Sequence, residues 1–194
     1  MMPRGDSGNP DLDNPSISNA PPFASVGLSI EGTDGADHYV GSYRSDVLSG
    51  AGGDDYLHGG GGVDLLIGGS GMDTLVARAG YSHLIGGTEA DRYVIAASDS
   101  QAFVEDVGGV DRVVIPETIS GSTIRRNGEA LIIKSNGQLV TITIADHYSS
   151  YGRIETFEFL DGTLAASQVE AMAEEPSPEA CYDERGVRIP CEGL

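Results

Sequence analysis

The pattern of apolar and polar positions repeats every nine residues between residues 32 and 94. Each nonapeptide has six residues that are mostly Gly, Asp or other small and polar types, followed by three residues whose middle one is large and apolar. Seven such units follow one another without a gap, and their apolar position eight holds Tyr39, Leu48, Leu57, Leu66, Leu75, Leu84 and Tyr93. A fixed period of this kind is the sequence signature of a stacked repeat structure.

The composition of one unit predicts a turn followed by a short strand. Glycine crowds positions one, two and four, and it adopts backbone conformations with φ > 0 that other residues avoid. The last three residues form the strand, and position eight points inward. One unit cannot bury its apolar side chain alone, so two units are expected to form one coil with strands on two faces and turns on two edges. Each unit then lies on the unit two places before it, at a strand spacing of about 4.8 Å.

Stacking lines up the residues at position six, which are Asp in six of the seven units. Two unit charges about 4.8 Å apart repel by about 3.5 kcal/mol at an effective dielectric near 20, so a hard divalent cation is expected between them. Carboxylate and carbonyl oxygens in Gly-rich turns favour calcium over magnesium or zinc, and binding and folding should be one transition. The predicted ligands are Asp37, Asp55, Asp73 and Asp91 on the odd-numbered units and Asp46 and Asp64 on the even-numbered ones, with Gly32, Gly35, Gly50, Gly53, Gly59, Gly62, Gly68, Gly71 and Gly86 shaping the turns.

The two edges are predicted to differ. The odd units keep every Asp, whereas the sixth unit begins with Ala77-Arg78 and has Ser82 at position six. The even edge should therefore hold about one good site, and we expect about three to five ions in all. Arg44 is expected to pair with a neighbouring Asp, and Glu89 to add a carboxylate to the last odd site. Replacing Ser82 by Asp is expected to add calcium.

The nonapeptides resemble the GGxGxDxUx repeats of the repeats-in-toxin (RTX) family, the calcium β-rolls of many bacterial secreted toxins, proteases, lipases and epimerases. GGGGVDLLI and GGSGMDTLV match that pattern throughout. The resemblance implies an all-β, right-handed parallel β-roll of about 3.5 coils over residues 32–94, which binds Ca²⁺. An open end of so short a roll needs a cap.

Residues 95–166 are predicted to be that β-rich cap. Two Asn-Gly turns separate apolar runs, which is a strong hairpin signal. The expected strands are Phe103–Val107, Arg112–Ile115, Ala130–Lys134, Leu139–Ile144 and Ile154–Leu160. The step Gly109-Val110-Asp111 and the closing phrase RIETFEFLDGT also resemble the region that follows RTX repeats, where the family nucleates calcium-driven folding. Asp106 and Asp111 either bind a further ion or are exposed turn carboxylates.

The two ends of the chain differ from the repeats. Residues 1–31 are rich in Pro, Asn, Ser, Gly and Asp and are expected to be a disordered leader without an ordinary signal peptide. Residues 167–194 form an acidic tail in which Gln168–Glu174 is a candidate short helix. This tail holds the two cysteines, Cys181 and Cys191, which could close a disulfide loop outside the cell.

Composition and motifs exclude several classes of function. The net charge of −19 opposes binding to nucleic acid or to an anionic membrane, and no apolar run approaches the roughly 18 residues of a membrane span. The chain lacks a G-x-S-x-G elbow, and its four His lack metal-ligand spacing and are assigned to solvated faces. We therefore expect no enzyme activity.

The primary hypothesis is a secreted, extracellular calcium-binding module that folds on binding calcium, exported by type I secretion machinery as the resemblance implies. One alternative is a calcium-dependent adhesin or surface interaction protein with an unknown protein or glycan partner. Another is an accessory, non-catalytic module of a secreted enzyme or toxin. The repeats are a scaffold found with many activities, so they do not choose among these hypotheses.

Overall fold

A computed structural model describes residues 26–96, 100–137, 139–149 and 152–173, together with the backbone of 181–182 and 188–189. The leader predicted for residues 1–31 lies mostly outside these ranges. Cys191 also lies outside them, so the disulfide between the two cysteines stays a prediction.

Seventeen strands and one helix follow one another along the described chain. They are β1 (Ser29–Glu31), β2 (His38–Val40), β3 (Val47–Gly52), β4 (Tyr56–His58), β5 (Gly62–Ser70), β6 (Thr74–Ala77), β7 (Gly80–Thr88), β8 (Arg92–Ile95), β9 (Ser100–Glu105), β10 (Arg112–Val114), β11 (Ser122–Asn127), β12 (Ala130–Ser135), β13 (Thr141–Ile144), β14 (Thr156–Phe159), β15 (Gly162–Ala165), α1 (Ala166–Met172), β16 (Cys181–Tyr182) and β17 (Arg188–Ile189).

The strands form two main sheets that alternate along the chain. One sheet has the order β1-β3-β5-β7-β9-β13-β12-β11, and the other has the order β15-β14-β10-β8-β6-β4-β2. Pairing is parallel from β1 to β13 in the first sheet and from β2 to β14 in the second. The predicted all-β parallel roll is therefore confirmed, but it has about five turns, not 3.5.

The register of the roll follows from the nonapeptide. Leu48 pairs with Leu66 and Leu66 with Leu84, so each unit lies on the unit two places before it. Position eight points into the space between the sheets, where the leucines of the repeats and Tyr93 are fully buried. Two columns of large apolar residues, one in each sheet, thus supply the core of the repeats. One unit contributes to only one column, which is the reason why it cannot fold alone.

The roll continues beyond residue 94 because two more units follow in register. Two residues are inserted between Ile95, which still pairs with Ala77, and Ser100, which pairs with Gly80. Beyond the insertion Ser82 pairs with Ala102 and Tyr93 pairs with Val113. Residues 106–114, DVGGVDRVV, thereby form a unit with Gly at position four, Asp at position six and Val at position eight. Strands β13 and β14 then add one further coil.

The upper end of the roll is closed by antiparallel strands and the helix. The hairpin β11–β12 pairs with β13, and β15 pairs with β14. Strands β11 and β15 were not expected from the sequence. The strand β11 has the sequence STIRRN and buries only Ile124, so its apolar signal is weak. Helix α1 buries Ala166 and Val169 and begins two residues before the predicted segment.

Candidate metal centre

The turns of the roll lie along two edges, which we name by the numbering of the units. The odd edge consists of the turns 32–37, 50–55, 68–73, 86–91 and 106–111 and the connection 145–155. The even edge consists of the turns 41–46, 59–64 and 77–82, the described residues 100–102 and the residues 115–121 that lead from β10 to the hairpin. Each turn joins a strand of one sheet to a strand of the other.

A column of carboxylates runs along the whole odd edge. At each level the backbone N–H of the position-six residue donates a hydrogen bond to the carboxylate one coil further along the chain. These bonds run from Asp37 to Asp55 (2.8 Å), Asp55 to Asp73 (2.8 Å), Asp73 to Asp91 (2.9 Å), Asp91 to Asp111 (2.8 Å) and Asp111 to Glu155 (2.8 Å). The four predicted aspartates are thus brought together, and Asp111 and Glu155 extend their column beyond the repeats.

On both edges, the second oxygen of most position-six carboxylates has no hydrogen-bond partner in the described part of the protein. Such buried, unpartnered Oδ2 atoms belong to Asp55, Asp64, Asp73, Asp91 and Asp111. An unpaired buried carboxylate oxygen is costly unless a positive charge compensates it. The donor set is made of oxygen alone and suits a hard divalent cation such as calcium.

In the first turn of each edge, the second oxygen of the carboxylate does have a hydrogen-bond partner. Asp37 Oδ2 accepts a hydrogen bond from the backbone N–H of Thr33 at 2.7 Å, and Asp46 Oδ2 accepts one from the N–H of Ser42 at 2.6 Å. The backbone N–H of the residue at position two thus partners both carboxylates locally, and its hydroxyl group donates a further hydrogen bond to the same oxygen. These two predicted ligands are less dependent on a cation than the aspartates above them.

Glycine at position one is required because the aspartate of the same unit packs against it. A Cβ at Gly32 would lie 2.8 Å from Asp37 Oδ2, and a Cβ at Gly59 would lie 2.5 Å from Asp64 Oδ2. Gly50, Gly68 and Gly86 face their own aspartates even more closely. The absence of a side chain therefore makes the space in which the carboxylate and its ligand lie.

Glycine at position four has another reason, which is backbone conformation. Gly53, Gly62 and Gly71 have φ of 96°, 106° and 119°, a region that residues with a Cβ avoid. The exception is Gly35 in the first turn, which is outside that region, and a Cβ there would meet only Thr33 Oγ1 at 3.8 Å. Gly35 is thus the one predicted turn glycine that neither reason requires.

Burial makes the charged form of these carboxylates unfavourable. It raises the pKa of Asp64 to about 7, of Asp73 to about 6, of Asp91 to about 8 and of Asp111 to about 7. The pKa of Asp55 is also raised, mainly by burial. In each case the hydrogen bond from the neighbouring backbone N–H lowers the pKa and offsets only part of the effect. A cation beside these groups would restore their ionised form.

Among the described residues at position six, the even edge keeps two carboxylates, Asp46 and Asp64. The N–H of Asp46 donates to Asp64 Oδ1 at 3.0 Å, but the next residues at position six are Ser82, Ala102 and Ile142. The loss of Asp at position 82 accompanies the loss of Gly at position 77. Since the position-one Cβ and the position-six Oδ2 compete for one space in the other units, Ala77 and Ser82 form a matched pair.

Two predicted auxiliary roles are not supported. Arg44 is exposed and makes no ion pair with a described residue. Glu89 Oε2 accepts hydrogen bonds from the N–H of Gly71 at 2.9 Å and from Thr88 Oγ1 at 2.6 Å, which lower its pKa. Glu89 therefore bonds to the backbone of the preceding odd turn, residues 68–73, and does not join the carboxylate column.

Two further expectations about side chains need correction. Asp106 and Asp111 are buried, so the alternative of exposed turn carboxylates is wrong. His147 was assigned to a solvated face but is completely buried, where its Nδ1 accepts a hydrogen bond from the N–H of Ile154 at 3.2 Å. Burial lowers the pKa of His147 to about 4, and Glu170 lies 3.4 Å from its Nε2. His147 is buried because the last coil and α1 pack around it, and the local sequence does not predict this packing.

Buried carboxylate columns on the edges of a parallel roll define a metal-binding β-solenoid. Comparison with known families agrees with that class: the profile of the RTX calcium-binding nonapeptide repeat (4 copies) matches residues 31–66 and again residues 67–94. The chain thus carries RTX calcium-binding repeats over this range. No curated protein matches the chain significantly. The described residues contain no helix with the length and hydropathy needed to cross a membrane.

Proposed function

We propose that this protein is a secreted RTX-type module that folds when it binds calcium outside the cell and that has no catalytic activity of its own. The observation that carries the proposal is the set of buried Oδ2 atoms without hydrogen-bond partners on Asp55, Asp64, Asp73 and Asp91. These groups lie in consecutive coils, so the same cation requirement recurs through the roll.

Calcium would act on the balance between repulsion and burial. Without the ion, ionised carboxylates in adjacent coils repel, and the raised pKa values of Asp64, Asp73 and Asp91 oppose their burial. When calcium is present, the carbonyl oxygens of the turns and the carboxylates of Asp55 and Asp73 hold the ions. Each of these two aspartates faces two intervals, which are the spaces between successive position-six carboxylates of the odd edge. The ion supplies the positive charge that the buried donor set lacks.

The expected energy of binding is sufficient to drive folding. Extracellular calcium modules have Kd values on the order of 10⁻⁴–10⁻³ M. Calcium at ten times Kd stabilises the folded state by about 1.4 kcal/mol per site, and about four sites would contribute roughly 5–6 kcal/mol. This is comparable with the whole stability of a small domain. A chain that remains unfolded where calcium is scarce also suits export through the narrow channel of a type I secretion system.

Far-UV circular dichroism of the full chain tests the proposal. The protein is titrated from chelator into millimolar calcium, with magnesium as the control ion. We expect a cooperative gain of β signal with calcium and little change with magnesium. A β signal that is already complete in chelator would contradict the coupling of folding to calcium.

A second candidate function is calcium-dependent adhesion, and exposed apolar side chains on the even edge favour it. Tyr43 is 95% exposed, Val63 is 58% exposed and Tyr81 is 39% exposed. Val63 and Tyr81 are register partners in adjacent strands. Exposed apolar residues gathered in this way are typical of interaction surfaces.

Retention on immobilised glycans and on cultured cells, measured in calcium, would test this second function. The double variant Tyr43→Ser, Tyr81→Ser should lose retention. The matched control is Met72→Ser, which changes an exposed apolar residue of the odd edge. Equal retention of both variants and the unmodified protein would contradict an adhesive even edge.

A further inference from the structure

The last odd turn places an additional carboxylate beside the column. Asp106 occupies position one of the unit 106–114, a position that is Gly in the turns below, at residues 32, 50, 68 and 86. One carboxylate oxygen from each of Asp91, Asp106 and Asp111 lies within 4.8 Å of the others. Every other odd interval of the repeats brings together only the two position-six carboxylates.

All three side chains of this cluster are removed from solvent. Asp91 is 2% exposed, Asp106 is 8% exposed and Asp111 is 1% exposed. The Oδ2 atoms of Asp91 and Asp111 have no hydrogen-bond partner among the described residues. No Lys, Arg or His in the described ranges forms an ion pair with any of the three. The cluster therefore carries up to three negative charges and no compensating positive charge.

Asp106 is held in this position by two hydrogen bonds. Its Oδ1 accepts a bond from the hydroxyl of Tyr93 at 2.6 Å, and its Oδ2 accepts one from the N–H of Gly108 at 3.0 Å. Tyr93 is itself a departure from the Leu that fills position eight in the preceding five units. The core residue of the last repeat thus fixes a carboxylate that the next unit supplies.

We infer that Asp91, Asp106 and Asp111 form a three-carboxylate calcium site at the end of the repeats, which binds its ion more tightly than the two-carboxylate intervals below it. The inference rests on the calcium-binding function proposed above. Calcium affinity rises with the number of charged ligands and with the rigidity of the site. The number of carboxylates is larger here than at the Asp55–Asp73 interval, and two hydrogen bonds hold the additional one in place.

Native mass spectrometry of the full chain at stepwise calcium concentrations tests the inference, because it resolves the first bound ion from later ones. Asp106→Asn keeps the shape of the side chain and removes its charge. Asp106→Gly restores the residue that the repeats carry at position one. We expect both variants to weaken binding of the tightest ion by about tenfold or more, with the later ions unchanged. Tyr93→Phe should weaken it less, because the Asp106 carboxylate stays and only the hydroxyl that bonds to it and to the carbonyl of Glu105 is lost.

The matched control is Asp146→Asn, which removes a carboxylate that is exposed and outside the cluster. It should bind its first ion as the unmodified chain does. If the unmodified chain binds no calcium, the proposed function itself fails. If it binds calcium and the two Asp106 variants retain the same tightest Kd, the three-carboxylate site alone is overturned.

Discussion

The odd and even edges of the roll share one backbone register but differ in their chemistry. The odd edge has a carboxylate at position six of every coil from Asp37 to Glu155, whereas the even edge has only Asp46 and Asp64. Stacking nevertheless continues on both, and Leu84 in the unit without Asp is fully buried. The difference shows that the apolar column and the strand ladders define the coil, while metal ligands are an additional requirement that one edge can lose.

The comparison also shows that the ligand and the turn glycine are lost together. A Cβ at Gly68 would collide with Asp73 Oδ2, and Ala77 is followed by Ser82. Within the repeats, each turn that keeps Asp at position six also keeps Gly at position one, whereas the later unit 106–114 has Asp at both positions. A change at either position is expected to affect the other.

The largest expected effect is the response of the calcium-free protein to pH. Burial raises the pKa of Asp73 to about 6 and of Asp91 to about 8, against an ordinary value of 3.8. The native state then binds more protons than the unfolded state, so stability in chelator should fall as pH rises from about 4 to about 8. Circular dichroism in chelator at pH 5 and pH 8 measures this, and more native signal at pH 8 would contradict it. Asp73→Asn should reduce the pH dependence.

The second largest effect is expected on the calcium midpoint of folding when a single carboxylate is removed. The size of this shift should differ between the two edges. Asp73 takes part in two intervals of the odd edge and has an unpartnered Oδ2, whereas Asp46 Oδ2 is already bonded to the N–H of Ser42. Asp73→Asn should raise the calcium midpoint of folding by about tenfold, equivalent to about 1.4 kcal/mol. Asp46→Asn should raise it by less than about threefold. Equal shifts in the calcium titration would show that the edges contribute alike.

A smaller effect is expected from the glycine of an odd turn. Gly68→Ala introduces a Cβ that would lie 2.5 Å from the carbonyl oxygen of Gly86 and even closer to Asp73 Oδ2. Overpacking of this kind costs about 1–3 kcal/mol, so the melting temperature in saturating calcium should fall. Gly35→Ala is the matched control, since a Cβ there meets no atom closer than 3.8 Å. Similar losses in both variants would argue against a steric cause.

The smallest expected effect is the gain of one bound calcium ion on the even edge. The sequence alone predicts that Ser82→Asp adds calcium, but Ala77 carries a Cβ at position one, where in the other repeats a Cβ would collide with the aspartate of the same unit. Ser82→Asp alone should therefore leave the number of bound ions unchanged, and the double variant Ala77→Gly, Ser82→Asp should add about one ion. Native mass spectrometry counts the ions. An additional ion in the single variant would refute the pairing of the two positions.

Much of the fold could be predicted because the residue pattern within each nonapeptide predicts the local structure of that unit. Position eight is apolar in seven consecutive units, and Leu57, Leu66 and Leu75 are buried as that period requires. The column of Asp37, Asp55, Asp73 and Asp91 likewise follows from the period alone. The sequence also shows the loss of Asp at Ser82, from which the difference between the edges was inferred.

The end of the roll was harder to predict because the period is interrupted. An insertion of two residues between Ile95 and Ser100 shifts the register, so that Asp91 bonds to a residue 20 positions ahead, not 18. The signal was nevertheless present, since DVGGVDRVV has the repeat pattern with Asp in place of the first Gly. A search that allows a short insertion would have found Asp111 as a column member.

The period, the inward-pointing residues at position eight, the carboxylates of the odd edge and the calcium chemistry can all be predicted from the sequence, because they depend on neighbours at constant spacing. Three features become visible only in the folded chain: Glu155 ends the carboxylate column, Asp106 joins Asp91 and Asp111, and His147 is buried. These contacts join segments that are far apart in the sequence and are separated by irregular connections, as for Asp111 and Glu155, which are 44 positions apart. No local pattern specifies such pairings, because they depend on how the closing strands and helix pack on the last coil.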